Sequence, residues 1–255
     1  MEFVDTHTHI SDGAFDGYED RFISNAQAAG VRRMLLADID SSERDAMFAA
    51  AARHPGTLFP MLGLYPGSVD GNWRDEIDRM LPYRDKGVVA VGEIGLDYHY
   101  GREHSREQKE ALATQLGLAA EWHLPVNIHL RDATEDFFDI LEAHAHLGLR
   151  GNLHAFSGSY ETFRRMQKYG DWYVGIGGVV TFRNASIATD LVRIPDDRIL
   201  LETDAPYLAP TPLRGTRNES ANIPLIAEAV ARIKGTDTIS VAEFTTRNAE
   251  LLFSI

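Results

Sequence analysis

The chain of 255 residues carries 38 acidic against 25 basic side chains, a formal net charge of −13, and no cysteine. Disulfides, thiolate metal sites and a cysteine nucleophile are thereby excluded, and the acidic balance argues against an extended grip on duplex nucleic acid, though not against a short strand end entering a cation-lined pocket. No stretch approaches the ~18 continuous apolar residues of a membrane span, residues 1–5 lack the basic and long apolar regions of a secretion signal, and a cytoplasmic location is expected.

In chain order, apolar runs of strand length fall at 3–6, 33–37, 58–64, 88–93, 126–129, 151–154, 172–176 and 199–203. They alternate with amphipathic helical patterns at 19–29, 42–53, 75–81, 104–122, 134–144, 160–169, 185–192 and 222–233, and a last helix is expected over 241–252. Ser41-Ser42-Glu43 reads as a helix start, and Ala29-Gly30 and Tyr169-Gly170 as helix ends. No linker or low-complexity tract divides the chain, and 44% apolar residues supply a sizeable core. Eight strand–helix alternations favour one parallel α/β TIM (β/α)8 barrel over residues 1–255. An open doubly wound sheet would need a phosphate loop, and Gly175-Ile176-Gly177-Gly178 lacks both the G-x-G-x-x-G spacing and the P-loop lysine.

His7-Thr8-His9 follows the first strand, where residues two apart share a face. Glu93, His129, His154 and Asp204 each lie near the end of a later strand run. In a barrel those carboxyl ends meet on one rim, so six scattered donors converge. Four imidazoles and two carboxylates suit a pair of divalent cations, Glu93 bridging them at roughly 3.5–4 Å. Mixed nitrogen and oxygen donors fit Zn²⁺, Mn²⁺, Co²⁺ or Ni²⁺, and Mg²⁺ less naturally. The same period of two puts Asp5, Asn127, Asn152 and Glu202 on the inner face below His7, His129, His154 and Asp204, as partners that orient the ligands. His54, His123, His144 and His146 are expected in solvent on or after helices. His99 and His104 follow the fourth strand near the mouth, where substrate contact is possible. Gly92 and Gly95 flank Glu93 as turn residues or as room for a close approach.

Asp5-Thr6-His7-Thr8-His9, Gly92-Glu93-Ile94-Gly95-Leu96-Asp97-Tyr98 and Pro125-Val126-Asn127-Ile128-His129-Leu130-Arg131 form the first of a series of motifs. It continues through His154-Ala155-Phe156-Ser157-Gly158, Leu201-Glu202-Thr203-Asp204-Ala205-Pro206-Tyr207-Leu208-Ala209-Pro210, Arg214-Gly215-Thr216-Arg217-Asn218-Glu219 and Asn248-Ala249-Glu250-Leu251-Leu252-Phe253. In order and over nearly the whole chain, it resembles the TatD family of metal-dependent deoxyribonucleases, among the amidohydrolase-like barrels. The resemblance implies two divalent ions (Mg²⁺, Mn²⁺ or Zn²⁺) on His7, His9, Glu93, His129, His154 and Asp204, and hydrolysis of nucleic-acid ends, DNA or RNA, as by a 3′–5′ exonuclease. Asp204 is then the expected general base, with Arg131, Arg214 and Arg217 as phosphate contacts; no membrane or obligate protein partner is expected. Two positions depart from the family pattern. Gly63-Leu64-Tyr65-Pro66-Gly67 stands for the usual Gly-Ile-His-Pro-His, and Pro212-Leu213-Arg214-Gly215 for Pro-His-Arg-Gly. Tyr65 can donate a hydrogen bond, but a phenol near pKa 10 is no neutral-pH proton shuttle. Hydrolysis of another ester, lactone or amide bond by the same centre is the second reading, and a catalytically silent metal-binding scaffold the third.

Overall fold

The computed structural model describes residues 1–255. Its strands are β1 (Phe3–Thr8), β2 (Val31–Leu36), β3 (Leu58–Pro60), β4 (Val91–Asp97), β5 (Val126–Arg131), β6 (Arg150–Leu153), β7 (Asp171–Ile176) and β8 (Ile199–Leu201). All pair in parallel, in the runs β1-β2-β3 and β4-β5-β6-β7-β8. Two bridges join the runs into a closed barrel, Met61 with Ala90 between β3 and β4 and Thr8 with Ala205 between β8 and β1. The second seam is tightened by Asp204 N–H on the His7 carbonyl at 2.9 Å and His9 N–H on that of Ala205 at 2.8 Å. The eight strands and the barrel expected from the alternation are therefore present.

Around the barrel lie α1 (Glu19–Ala28), α2 (Arg44–Arg53), α3 (Trp73–Met80), α4 (Ser105–Trp122), α5 (Thr134–Ala143), α6 (Tyr160–Met166), α7 (Ile187–Leu191), α8 (Ile223–Lys234) and α9 (Thr238–Phe253). None is long and apolar enough to cross a membrane. One large apolar cluster fills the layer between helices and strands. A smaller one joins Val4, Leu35, Met61, Ala90 and Leu200 to Ala249, Leu252 and Phe253 of α9, so the last helix closes the amino-terminal end of the barrel. With that end plugged by hydrocarbon, polar chemistry is confined to the other.

Several boundaries differ from expectation for identifiable reasons. The ladder of β3 stops at Pro60, which has no N–H to give, and the chain runs on to residue 64 with only single bridging bonds. Strand β4 does not end at Glu93 but continues to Asp97. Gly95 permits this: a side chain there would collide with the backbone of His129 on β5. The serines at 41 and 42 do not cap α2; Ser41 bonds Glu76 and Ser42 bonds Asp40. Helix α9 starts three residues early because the Asp237 carboxylate accepts the Ser240 N–H at 2.8 Å, satisfying a free amide of the first turn.

Candidate metal centre

Two bulges set the site. Between Asp5 and Thr8, β1 advances three residues against two of β2, and between Val91 and Ile94, β4 advances three against two of β5. An extra residue re-aims the side chains beside it. Val91 and Ile94 thus both pack in the helix-facing cluster although they are three apart, and Glu93 between them is turned into the barrel. His7 occupies the equivalent place in β1.

The donors then gather. His7 Nε2 and His9 Nε2 are 3.1 Å apart, and Glu93 Oε2 lies 3.3 and 3.6 Å from them. Asp204 Oδ1 lies 3.6 Å from His7 Nε2 and 3.3 Å from His9 Nε2. These separations bracket the ~3.3 Å edge of a tetrahedron with zinc–nitrogen bonds of ~2.0–2.1 Å. On the other side of the same carboxylate, Glu93 Oε1 faces His129 Nδ1 at 2.8 Å and His154 Nε2 at 2.9 Å, themselves 3.1 Å apart. Both His7–His9–Asp204 and His7–Glu93–His154 are groups whose donor atoms all lie within 4.8 Å of one another. Lone pairs converging at such distances in a buried space repel unless a proton or a cation lies among them, so the donor set fits divalent metal. All six expected ligands are brought together.

The supporting partners are partly as expected. Asn152 and Glu202 do face inward, but Asn127 holds a different ring: its Oδ1 meets His7 Nδ1 across the barrel at 2.8 Å, while its amide donates to Asn152 at 3.1 Å. Glu202 accepts the Ala155 N–H at 2.5 Å and stands 3.6 Å from His154 Nδ1. Gly175 makes room for it, since a β-carbon there would strike the Glu202 carboxylate. Asp5 is the exception. The bulge breaks the alternation between it and His7, and its carboxylate binds Thr203 N–H at 2.9 Å, Thr203 Oγ1 at 2.5 Å and Ser220 Oγ at 2.6 Å. It touches His7 only at the backbone amide, at 3.3 Å. Asp5 therefore fastens the β1–β8 seam instead of orienting an imidazole.

The partner of His129 is a residue not singled out from sequence. Asp97 Oδ2 binds its Nε2 at 3.0 Å, leaving Nδ1 for the centre. Asp97 is four residues after Glu93 and on the same inner face, a signal hidden by ending the strand at residue 93. Tyr65 OH reaches the same Asp97 oxygen at 3.5 Å, and its ring meets His129 edge-on at 5.1 Å. Tyr207, also not singled out, stands edge-on to His9 at 6.1 Å and donates to Asp12 at 2.7 Å.

Electrostatics follow from this crowding. Burial pushes the Glu93 carboxyl up, but the charges of His154 and His7 and hydrogen bonds from His129 and His154 outweigh it and hold it well below 4.5. Asp204 is likewise lowered, burial being overcome by the His9 hydrogen bond and the neighbouring imidazoles. Burial opposes a charge on His154, yet Glu93 and Glu202 raise it well above 6.5; His9 and His129 are raised as well, against burial, by Asp204 and Glu93 and by Asp97 and Glu93. Tyr65 is pushed up by burial first, then by Glu93, Asp97 and Asp204, so its phenol keeps its proton.

Of the cationic candidates, Arg131 closes β5 two residues after His129 and lies exposed over the Tyr100 ring at 5.5 Å. Arg214 lies over Phe182 at 4.1 Å. Arg217 is taken up locally by the Ala14 carbonyl at 2.7 Å and Glu219 at 3.2 Å, and covers Tyr18 at 4.1 Å. His99 is held by Asp132 at 2.9 Å, and His54, expected in solvent, is half-buried against Glu19 at 3.2 Å.

A closed parallel barrel with a histidine–carboxylate cluster at the carboxyl ends of its strands defines a class, the metal-dependent barrel hydrolases. Within it, residues 4–254 match the family model of TatD-related DNases. The chain belongs to that family and is a metal-dependent hydrolase. It is 37% identical to an uncharacterized metal-dependent hydrolase, YabD, of Bacillus subtilis, with 98% of each chain covered. It is 36% identical to the 3′–5′ ssDNA/RNA exonuclease TatD of Cronobacter sakazakii, covering 98% of this chain and 97% of that one. Among solved structures, the TatD homologue YJJV of Escherichia coli superposes with a TM-score of 0.90 at 28% identity, covering 99% and 98% of the two chains.

Proposed function

We propose that this hydrolase shortens single-stranded nucleic acid from an end, in the 3′–5′ direction of its exonuclease relative, at a centre where His7, His9, Glu93, His129, His154 and Asp204 would hold two divalent cations. The observation that carries the reading is the division of Glu93: one oxygen belongs to the His7–His9–Asp204 group and the other to the His129–His154 pair. When bound, such ions make water a nucleophile near neutral pH and neutralise charge on the phosphoryl oxygens.

The chain's own residues do the rest. Asp204 is ionised and its side chain is 15% exposed where that of Glu93 is 3%, so Asp204 meets the mouth and takes up the proton. Asn127 and Asp97 fix which nitrogen of His7 and of His129 faces the centre. Arg131 and Arg214 contact phosphate; Arg217 serves the loop that carries it.

Protein stripped of metal and resupplied with Mg²⁺, Mn²⁺ or Zn²⁺ should shorten an end-labelled single strand stepwise. Asp204→Asn and His154→Ala should lose at least ~1,000-fold in rate with unchanged circular dichroism. Undiminished shortening by either variant would remove that residue from the centre. A second reading, hydrolysis of a lactone or aminoacyl ester, is favoured by Tyr65, whose held proton leaves this position without the family's imidazole. Comparing these substrates with the labelled strand separates the two.

A further inference from the structure

Tyr100 has no structural reason to be where it is. It is 89% exposed, more than any other large apolar side chain of the protein, and buries nothing of the core. Yet it has defined neighbours. Arg131 lies over the ring at 5.5 Å and the His99 imidazole meets it edge-on at 4.9 Å. His99 is in turn held by Asp132 at 2.9 Å, and the Tyr98 N–H ties the segment to the Arg131 carbonyl at 3.0 Å.

The place is specific too. Arg131 pairs in register with Asp97, the residue that binds His129, and stands two residues beyond His129, about 6.6 Å at the rise of a strand. The carboxylates on either side of it in this cluster, Asp97 and Asp132, are taken by His129 and His99. The guanidinium is therefore available at the edge of the centre, backed by a ring with open surface. An aromatic face beside a cation is the combination by which unpaired bases and their phosphates are bound. In a duplex every base inside the terminal pair is already stacked on both faces, so such a ledge favours an unpaired end.

We propose that Tyr100 is a stacking ledge for one unpaired nucleobase next to the bond being cut, with Arg131 on the adjoining phosphate. This deepens, and rests on, the nuclease reading above. Tyr100 fixes the depth to which a strand end enters and selects single strands over duplex; it takes no part in bond cleavage.

The test pairs Tyr100→Ala and Tyr100→Trp with single-stranded oligonucleotides bearing one abasic residue at each of the first three positions from the cleaved end. In the wild type, one abasic position should raise KM roughly 5- to 100-fold with little change in kcat. Tyr100→Ala should show the same rise on the intact strand and no further penalty at that position, and Tyr100→Trp should behave as wild type. Anisotropy with a cleavage-resistant phosphorothioate strand should reproduce the pattern in Kd. Wild-type KM and Kd in Tyr100→Ala, or an abasic penalty that persists undiminished in it, would overturn the ledge while leaving the nuclease reading intact. A wild-type protein that shortens no strand in any metal would overturn both.

Discussion

At the scale of single residues, the centre depends on side chains that hold the ligands as much as on the ligands. His129 presents Nδ1 because Asp97 binds its Nε2. Asp97→Ala should weaken metal binding on the His129–His154 side about 10- to 100-fold and spare the His7–His9 side, measured by calorimetric titration of stripped protein. Equal loss at both sides, or at neither, would show that Asp97 does not orient His129. Protons compete for the same atoms. His154 is raised well above 6.5, so in stripped protein it stabilises the fold fully below pH 6.5 and loses that contribution as pH climbs through its raised value; Glu93, well below 4.5, contributes above 4.5 and loses as pH falls through its lowered value. Stripped protein should therefore melt higher near pH 6 than near pH 8.5. Metal must displace those protons, so its affinity should rise over the same interval with proton release. A pH-independent affinity would contradict the protonated cluster.

At the scale of elements, strand β4 shows what could and could not be read beforehand. The motif around Glu93 made it a candidate ligand, because a lone acidic residue in an apolar run is conspicuous. The bulges of β4 and β1 were hidden, since an extra residue in a strand has no composition of its own, and with them went the reach of β4 to Asp97 and the outward turn of Asp5 on β1. Alternation held on β5, β6 and the segment after β8, which have no bulge there, and failed on β1, which has one. A buried pair just beyond β2 was also missed. Asp38 Oδ2 accepts from Arg44 Nε at 2.8 Å and from Gly63 N–H at 3.1 Å, and its carbonyl accepts the Glu93 N–H at 3.1 Å. Burial lifts the Asp38 carboxyl to about 7 even against Arg44. Arg44→Met leaves Asp38 without its counter-charge and should cost about 3 kcal/mol in chemical denaturation. The loss should be larger at pH 8.5 than at pH 6, where Asp38 can shed its charge by taking up a proton. A variant as stable as wild type at both pH values would mean the pair carries no part of the stability.

At the scale of the whole molecule, the barrel was legible because eight apolar runs at regular intervals have few other ways to bury themselves. How its two seams are made was not: each rests on a single bridge, and the β1–β8 seam also on Asp5, which was expected to orient His7. The plug of α9 under Val4, Met61 and Leu200 explains why polar groups tolerated inside a barrel are found only above it. Everything proposed for function rests on the six donors acting as one centre. The most direct test is titration of stripped protein with Mn²⁺, reading bound metal by elemental analysis and ion–ion coupling by electron paramagnetic resonance. Two ions per chain with exchange coupling, the coupling lost in Glu93→Gln, are expected for a centre bridged by that carboxylate. One ion per chain, or two that do not sense each other, would contradict it.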